Sequence, residues 1–93
     1  MLVRKMTLEE IQNQEFAKND VLPTFKEKYE RHKKLNSAMA LTNGQHEPVY
    51  LLVELVNGDV VEIYSDLIDL EDDYVEIHGG FGIPLKAIYD VGV

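Results

Sequence analysis

From Val49 onward apolar and polar residues alternate at the two-residue period of a β-strand, whereas before Gly44 the apolar positions recur every three or four residues, as on one helix face. The strongest local signal is Val49-Tyr50-Leu51-Leu52-Val53-Glu54-Leu55-Val56, then Asn57-Gly58, then Asp59-Val60-Val61-Glu62-Ile63-Tyr64. Asn-Gly suits the two positive-φ positions of a type I′ turn, so the run predicts a β-hairpin in which Val56 faces Asp59 and Leu51 faces Tyr64. In that register Val49, Leu51, Val53, Leu55, Val60 and Tyr64 share the core face, with Glu62 as its only charge. The other face gathers Tyr50, Leu52, Val61 and Ile63 beside Glu54, Asp59 and Ser65. That is more apolar than free solvent favours, so the helices or another subunit are expected to cover part of it.

A short acidic strand around residues 66–70, a turn at Glu71-Asp72-Asp73, and a strand over 74–78 with Val75 and Ile77 inward come next. Gly79-Gly80-Phe81-Gly82 reverses the chain, and Pro84 fits the first turn of a single helical turn over 83–88. A closing strand over 89–93 ends the pattern.

In the first half, Thr7-Leu8-Glu9-Glu10 has the spacing of a capping box and predicts a helix over about 8–18, with Leu8, Ile11 and Phe16 as a thin apolar stripe. Thr24-Phe25-Lys26-Glu27 repeats that spacing, and Phe25, Tyr29, His32, Leu35 and Met39 line one face of a second helix over about 25–40, stopped by Asn43-Gly44. A partly buried, neutral His32 is expected on that stripe. The expected fold is therefore α+β, mainly β: two N-terminal helices followed by a small five-stranded bent β-barrel of the SH3-like or Sm-like sort. Residues 1–46 form the helical arm and 47–93 the barrel module, together one compact domain.

Composition narrows the function classes. The 93 residues carry 17 Asp+Glu against 9 Lys+Arg, a net charge of -8, and 45% are apolar, as in one acidic globular domain. The charge is uneven: residues 1–46 hold eight cations and six carboxylates, whereas 47–93 hold one cation, Lys86, and eleven carboxylates. There is no Cys, so disulfide staples and thiol chemistry are excluded. No apolar run approaches the roughly 20 residues of a membrane span, and the opening Met1-Leu2-Val3-Arg4-Lys5 leads into a charged segment, so a cytoplasmic location is expected.

Candidate chemistry is sparse. Ser37, Ser65 and the three His fall in no nucleophile-base pattern, so no enzyme activity is expected. Glu71-Asp72-Asp73 lacks the alternating ligand spacing of a calcium loop, and no metal or cofactor is expected. Protein-contact candidates are Tyr50, Leu52, Val61, Ile63 and Phe81 on the over-apolar hairpin face and the glycine loop. The alternative is a nucleic-acid contact through Lys26, Lys28, Arg31, Lys33 and Lys34, since clustered cations neutralise phosphates. Glu27, Glu30 and the acidic second half dilute that field, and a third option is packing of the basic helix on the acidic half of this or another copy.

The hairpin from Leu52 to Glu62 resembles the first Sm motif, which implies an oligomeric RNA-binding ring. Ile63 stands where that family has a glycine, and no Arg-Gly pair precedes the last strand, so RNA binding by that route is not expected. Pro48-Val49 opening a strand, the Asn57-Gly58 hairpin, and Ile83-Pro84-Leu85-Lys86-Ala87-Ile88-Tyr89-Asp90-Val91 are similar to the barrel half of the YolD-like family of Gram-positive bacteria, their phages and mobile elements. Leu22-Pro23 in the helical stretch is loosely similar too. The resemblance implies a non-enzymatic accessory protein whose partner is a Y-family translesion DNA polymerase, with a role in DNA-damage tolerance. The sequence-level expectation is a protein-binding accessory protein, with a homo-oligomer also in view.

Overall fold

A computed structural model describes residues 3–92. Met1 and Leu2 of the opening segment, and Val93 of the expected closing strand, lie outside the described residues. In chain order the elements are strand β1 (Val3–Lys5), helix α1 (Leu8–Ile11), helix α2 (Phe25–Gln45) and strands β2 (Val49–Glu54), β3 (Val60–Ser65), β4 (Ile68–Leu70), β5 (Tyr74–Ile77) and β6 (Phe81–Pro84). A 3₁₀ turn (Leu85–Ala87) and strand β7 (Ile88–Gly92) follow.

The expected closed five-stranded barrel does not form. Among the described residues seven strands make two open sheets, ordered β1-β3-β2-β7 and β4-β5-β6. The chain leaves the first sheet at Ser65, whose buried hydroxyl accepts from the N–H groups of Leu67 (3.2 Å) and His78 (3.1 Å) and donates to the Leu67 carbonyl, so β4 starts a second sheet. Two strands were hidden in the pattern. Val3-Arg4-Lys5 is exposed, charged and too short to alternate, yet it pairs in parallel with β3, Val3 opposite Val60. Phe81-Gly82-Ile83-Pro84 reads as turn and helix start, but it lies at a sheet edge, where a proline without an N–H is tolerated.

Helix α2 closes the gap that a barrel would close with strand pairing, packing on the outer strands β7 and β4. The Ile68 N–H donates to Thr42 Oγ1 (3.4 Å), the Leu70 N–H approaches Met39 Sδ (3.3 Å), and Arg31 donates to the Ile88 carbonyl (3.0 Å). Helix side chains thus satisfy backbone groups of both sheet edges, which would otherwise be buried without partners. The buried stripe of α2 is consequently Arg31, Leu35, Ala38 and Thr42. The expected stripe is corrected: Leu35 is buried and Met39 half-buried, but Phe25, Tyr29 and His32 are exposed.

Both helix lengths differ from expectation. The α1 capping box is present, with the Thr7 N–H donating to Glu10 Oε1 and the Glu10 N–H to Thr7 Oγ1, both at 3.1 Å. The helix nevertheless ends at Ile11, and Phe16 pairs with Leu55 in an isolated bridge. Helix α2 runs through Asn43-Gly44 and stops where His46 adopts the left-handed conformation at φ 56 and donates to the Thr42 carbonyl, just before Pro48.

The hairpin exists, but its register is one residue off the expected one: Glu54 faces Val60, Leu51 faces Ile63 and Tyr50 faces Tyr64. Only Gly58 of the Asn57-Gly58 pair has positive φ, at 93°. Asn57 Oδ1 instead accepts from the Asp59 N–H (3.0 Å), while the Leu55 N–H donates to the Asp59 carbonyl (2.8 Å) and the Gly58 N–H to the Leu55 carbonyl (2.9 Å). The loop is thus longer than a two-residue I′ turn and has the form of a type I turn with a glycine bulge. Because side chains alternate, that single-residue change inverts β3. Val61, Ile63 and Ser65 point into the core with Val49, Leu51 and Val53, while Tyr64 is exposed and Glu62 is half-buried outside. The core is completed by Ile11, Leu35, Ile68, Val75, Ile77, Ile83 and Ile88.

Candidate docking surface

The rotation of α2 is fixed by a buried fork. Thr24 Oγ1 caps the helix by accepting from the Glu27 N–H (3.1 Å), and two turns on, the Arg31 guanidinium is 8% exposed. Its Nη1 and Nη2 each donate to one Asp20 carboxylate oxygen at 2.9 Å, and Nη1 also reaches the Ile88 carbonyl. The Leu22 N–H donates to Asp20 Oδ1 (2.9 Å) and holds the carboxylate from behind. Burial alone would raise the Asp20 pKa. The Arg31 hydrogen bonds, the Leu22 N–H and the charges of Arg31 and Lys28 outweigh it and hold the carboxyl below its usual value.

With Arg31 turned inward, Phe25, Tyr29 and His32, spaced four and three apart, project about a third of a turn away. Phe25 is 85% exposed and Tyr29 55%. Lys33 Nζ lies 5.6 Å from the centroid of the Tyr29 ring, a cation–π distance. Lys26 and Lys33 flank one side of this aromatic ridge and Lys28 the other, all exposed. On the side of α2 away from this ridge a groove of about 650 Å³ runs between Leu22 and Tyr89 with Arg31 and Lys34 in its lining. Lys34 Nζ pairs with Asp90 Oδ1 at 3.1 Å. A bulge in β7, where Leu52 faces Asp90 but Val53 faces Ile88, leaves Tyr89 as the extra residue. Its hydroxyl donates to Glu54 Oε1 (2.6 Å), a bond that pushes the phenol pKa up.

The five protein-contact candidates do not share a surface. Val61 and Ile63 are fully buried, because the register inverted β3. Tyr50 and Leu52 are half-buried on the outer face of the first sheet. The Tyr50 ring meets Tyr64 edge-on at 6.3 Å and lies across Gly92, where a Cβ would fall 2.5 Å from it. Phe81 is half-buried against Phe16, centroids 6.1 Å apart. Of the five basic candidates, Arg31 is buried on Asp20 and Lys34 is paired with Asp90, which leaves Lys26, Lys28 and Lys33 on the open surface. The exposed Phe25 and Tyr29 were missed as site residues because their spacing with Leu35 read as core.

A second surface has the opposite charge. On the outer face of the β4-β5-β6 sheet Asp69 stands directly opposite Glu76, and Tyr74, 41% exposed, lies over Gly82. Leu67 is exposed before β4, and Glu71-Asp72-Asp73 form the exposed turn into β5. Among the described residues no group of three or more His, Cys, Asp or Glu is placed to hold a metal ion. Ser65, Asp66 and His78 are neighbours, and His78 Nδ1 lies 2.8 Å from Asp66 Oδ1 at the surface. The Ser65 hydroxyl is committed to three backbone groups that bend the chain, so it is not a free nucleophile.

Among the described residues no helix is long and apolar enough to cross a membrane. Comparison of the chain with protein-family models, with curated proteins and with solved structures returns no match in any of the three.

Proposed function

We propose that this chain is a cytoplasmic, non-catalytic accessory protein that binds another protein through the aromatic ridge of α2. The observation that carries this reading is the 85% exposure of Phe25, in line with Tyr29 on a helix whose rotation is locked by a buried Arg31–Asp20 fork. A rigid helix presenting two aromatic anchors between lysines suits a partner surface with apolar recesses and carboxylates around them. Arg31 and Lys34 are engaged within the chain, which weakens the alternative of a phosphate-binding helix. The YolD-like resemblance makes a Y-family translesion polymerase the first partner to try, and with it a role in DNA-damage tolerance.

The test is capture by wild type and by the Phe25→Ser/Tyr29→Ser double variant, at low and high salt, with and without nuclease, using a lysate and a purified Y-family polymerase as baits. A nuclease-resistant protein held by wild type and lost by the variant supports the reading. Capture that nuclease abolishes, or that the variant retains, overturns it.

A further inference from the structure

We infer that a second copy of this chain occupies the α2 ridge, seated through the acidic outer face of its β4-β5-β6 sheet. This rests on the reading of the ridge as a docking surface and not on the identity of its other partner, with which a second copy would compete for the same ridge.

The two surfaces are complementary in charge and in shape of content. The ridge sets Phe25 and Tyr29 among Lys26, Lys28 and Lys33; the sheet face sets Tyr74 and Leu67 among Asp69, Glu76 and the carboxylates of the 71–73 turn. The ridge from Phe25 to His32 is about 10 Å long at 1.5 Å per residue, and three strands span about 10 Å at roughly 4.8 Å per gap. The sheet face also carries an internal conflict. Asp69 and Glu76 are a like-charge pair directly across the ladder, an arrangement that disfavours the pairing. Among the described residues no Lys or Arg forms an ion pair with Asp69, Glu71, Asp72, Asp73 or Glu76. Lysines of a second copy would relieve that repulsion, and burial of two exposed aromatic rings against Tyr74 and Leu67 supplies the apolar part of the contact. The two surfaces offer fewer residues than the roughly 20–30 a side of a standard interface, so the association is weak and salt-sensitive. The contact is heterologous, ridge to face, so copies add head-to-tail unless two such contacts close on each other.

Sedimentation velocity of the purified full chain, from low micromolar to millimolar concentration at low and high salt, tests this. The expected result is an average mass that climbs above the monomer with concentration at low salt and returns to the monomer at high salt. Phe25→Ser/Tyr29→Ser and, separately, Asp69→Lys/Glu76→Lys are each expected to lose that rise while keeping the wild-type circular dichroism spectrum. A chain with Lys26→Glu, Lys28→Glu and Lys33→Glu, mixed with the Asp69→Lys/Glu76→Lys chain, is expected to recover a mixed species. A monomer at every concentration, or a mass rise that survives both surface variants, overturns the inference. If the chain stays monomeric but Phe25→Ser/Tyr29→Ser still loses protein capture, self-occupancy fails while the docking reading stands. If self-association needs the ridge but capture does not, the docking partner fails and self-occupancy stands.

Discussion

The two faces of α2 divide their residues against the usual rule: the buried stripe includes Arg31 and Thr42, whereas the exposed ridge carries Phe25 and Tyr29. The difference is in what each face meets. The stripe lies on two sheet edges, where Thr42 accepts from Ile68 N–H and Arg31 donates to the Ile88 carbonyl, and the half-buried Met39 at its margin approaches Leu70 N–H. A buried backbone group without a partner costs about 1–3 kcal/mol, the same order as the roughly 1.5–3 kcal/mol from burying one aromatic ring, so the edge groups offset the two rings left outside. Leu35 and Ala38 add their own burial to the same side. At a seam between open sheets, satisfying the strand edges selects the helix face that is buried, and the leftover aromatic residues become surface.

The sharpest way to break that arrangement is Arg31→Ala, which leaves the Asp20 carboxylate and the Ile88 carbonyl without their shared donor. The expected loss is about 3–4 kcal/mol in urea unfolding, and Asp20→Ala should cost nearly as much. The double variant should cost far less than the sum of the two, because each single change already removes the same fork. Arg31→Ala within 1 kcal/mol of wild type would show that the stripe is wrongly assigned. Next in size, Leu35→Ala at a fully buried site should cost about 3 kcal/mol, a fall of roughly 15 °C in Tm for a domain of this length.

Thr42→Val keeps the volume but removes the oxygen that accepts from Ile68 N–H, so it should cost about 1.5 kcal/mol, and Thr42→Ser should restore most of that. Asp20→Asn probes the charge itself. The folded carboxyl titrates below the unfolded value of about 3.9, so its contribution is fully present above that pH and is lost as pH falls through it toward the folded value. The gap between wild type and Asp20→Asn, on the order of 1 kcal/mol, should hold from pH 7 to about 5 and narrow progressively below about 4. A gap that does not narrow at all as pH falls below about 4 would mean the pair contributes geometry rather than charge.

Much of the architecture was legible in local pattern and much was not. The α1 capping box, the existence of α2, a hairpin around Asn57-Gly58 and inward Val75 and Ile77 follow from spacing and turn chemistry, and all are present. The register was misjudged, and the signal was in the sequence: the expected pairing left Glu62 on the core face, whereas one residue of slip moves Glu62 out and Val61 and Ile63 in. The barrel was misjudged for a less visible reason. Closure depends on contacts between distant parts of the chain, on Ser65 bending the path and on α2 filling the seam, none of which has a period. On the candidate surface, the lysines were legible and the aromatic ridge was not, because Phe25-Tyr29-His32-Leu35 and Arg31-Leu35-Ala38-Thr42 are both helical stripes, and only the strand edges decide between them.

The smallest expected effect is the most discriminating for the ridge. Phe25→Ser and Tyr29→Ser remove rings that are mostly in water, so each should change unfolding stability by no more than about 0.5 kcal/mol, with Tyr29 the larger because its ring sits beneath Lys33. Conserved stability separates surface from core more cleanly than any loss of binding could, since unfolding also abolishes binding. A cost of about 2 kcal/mol or more at Phe25 would return that residue to the packed side of the helix and remove the ridge as a docking surface. A near-zero cost, beside the large penalties at Arg31 and Leu35, would leave its aromatic side chains with no structural duty in the monomer.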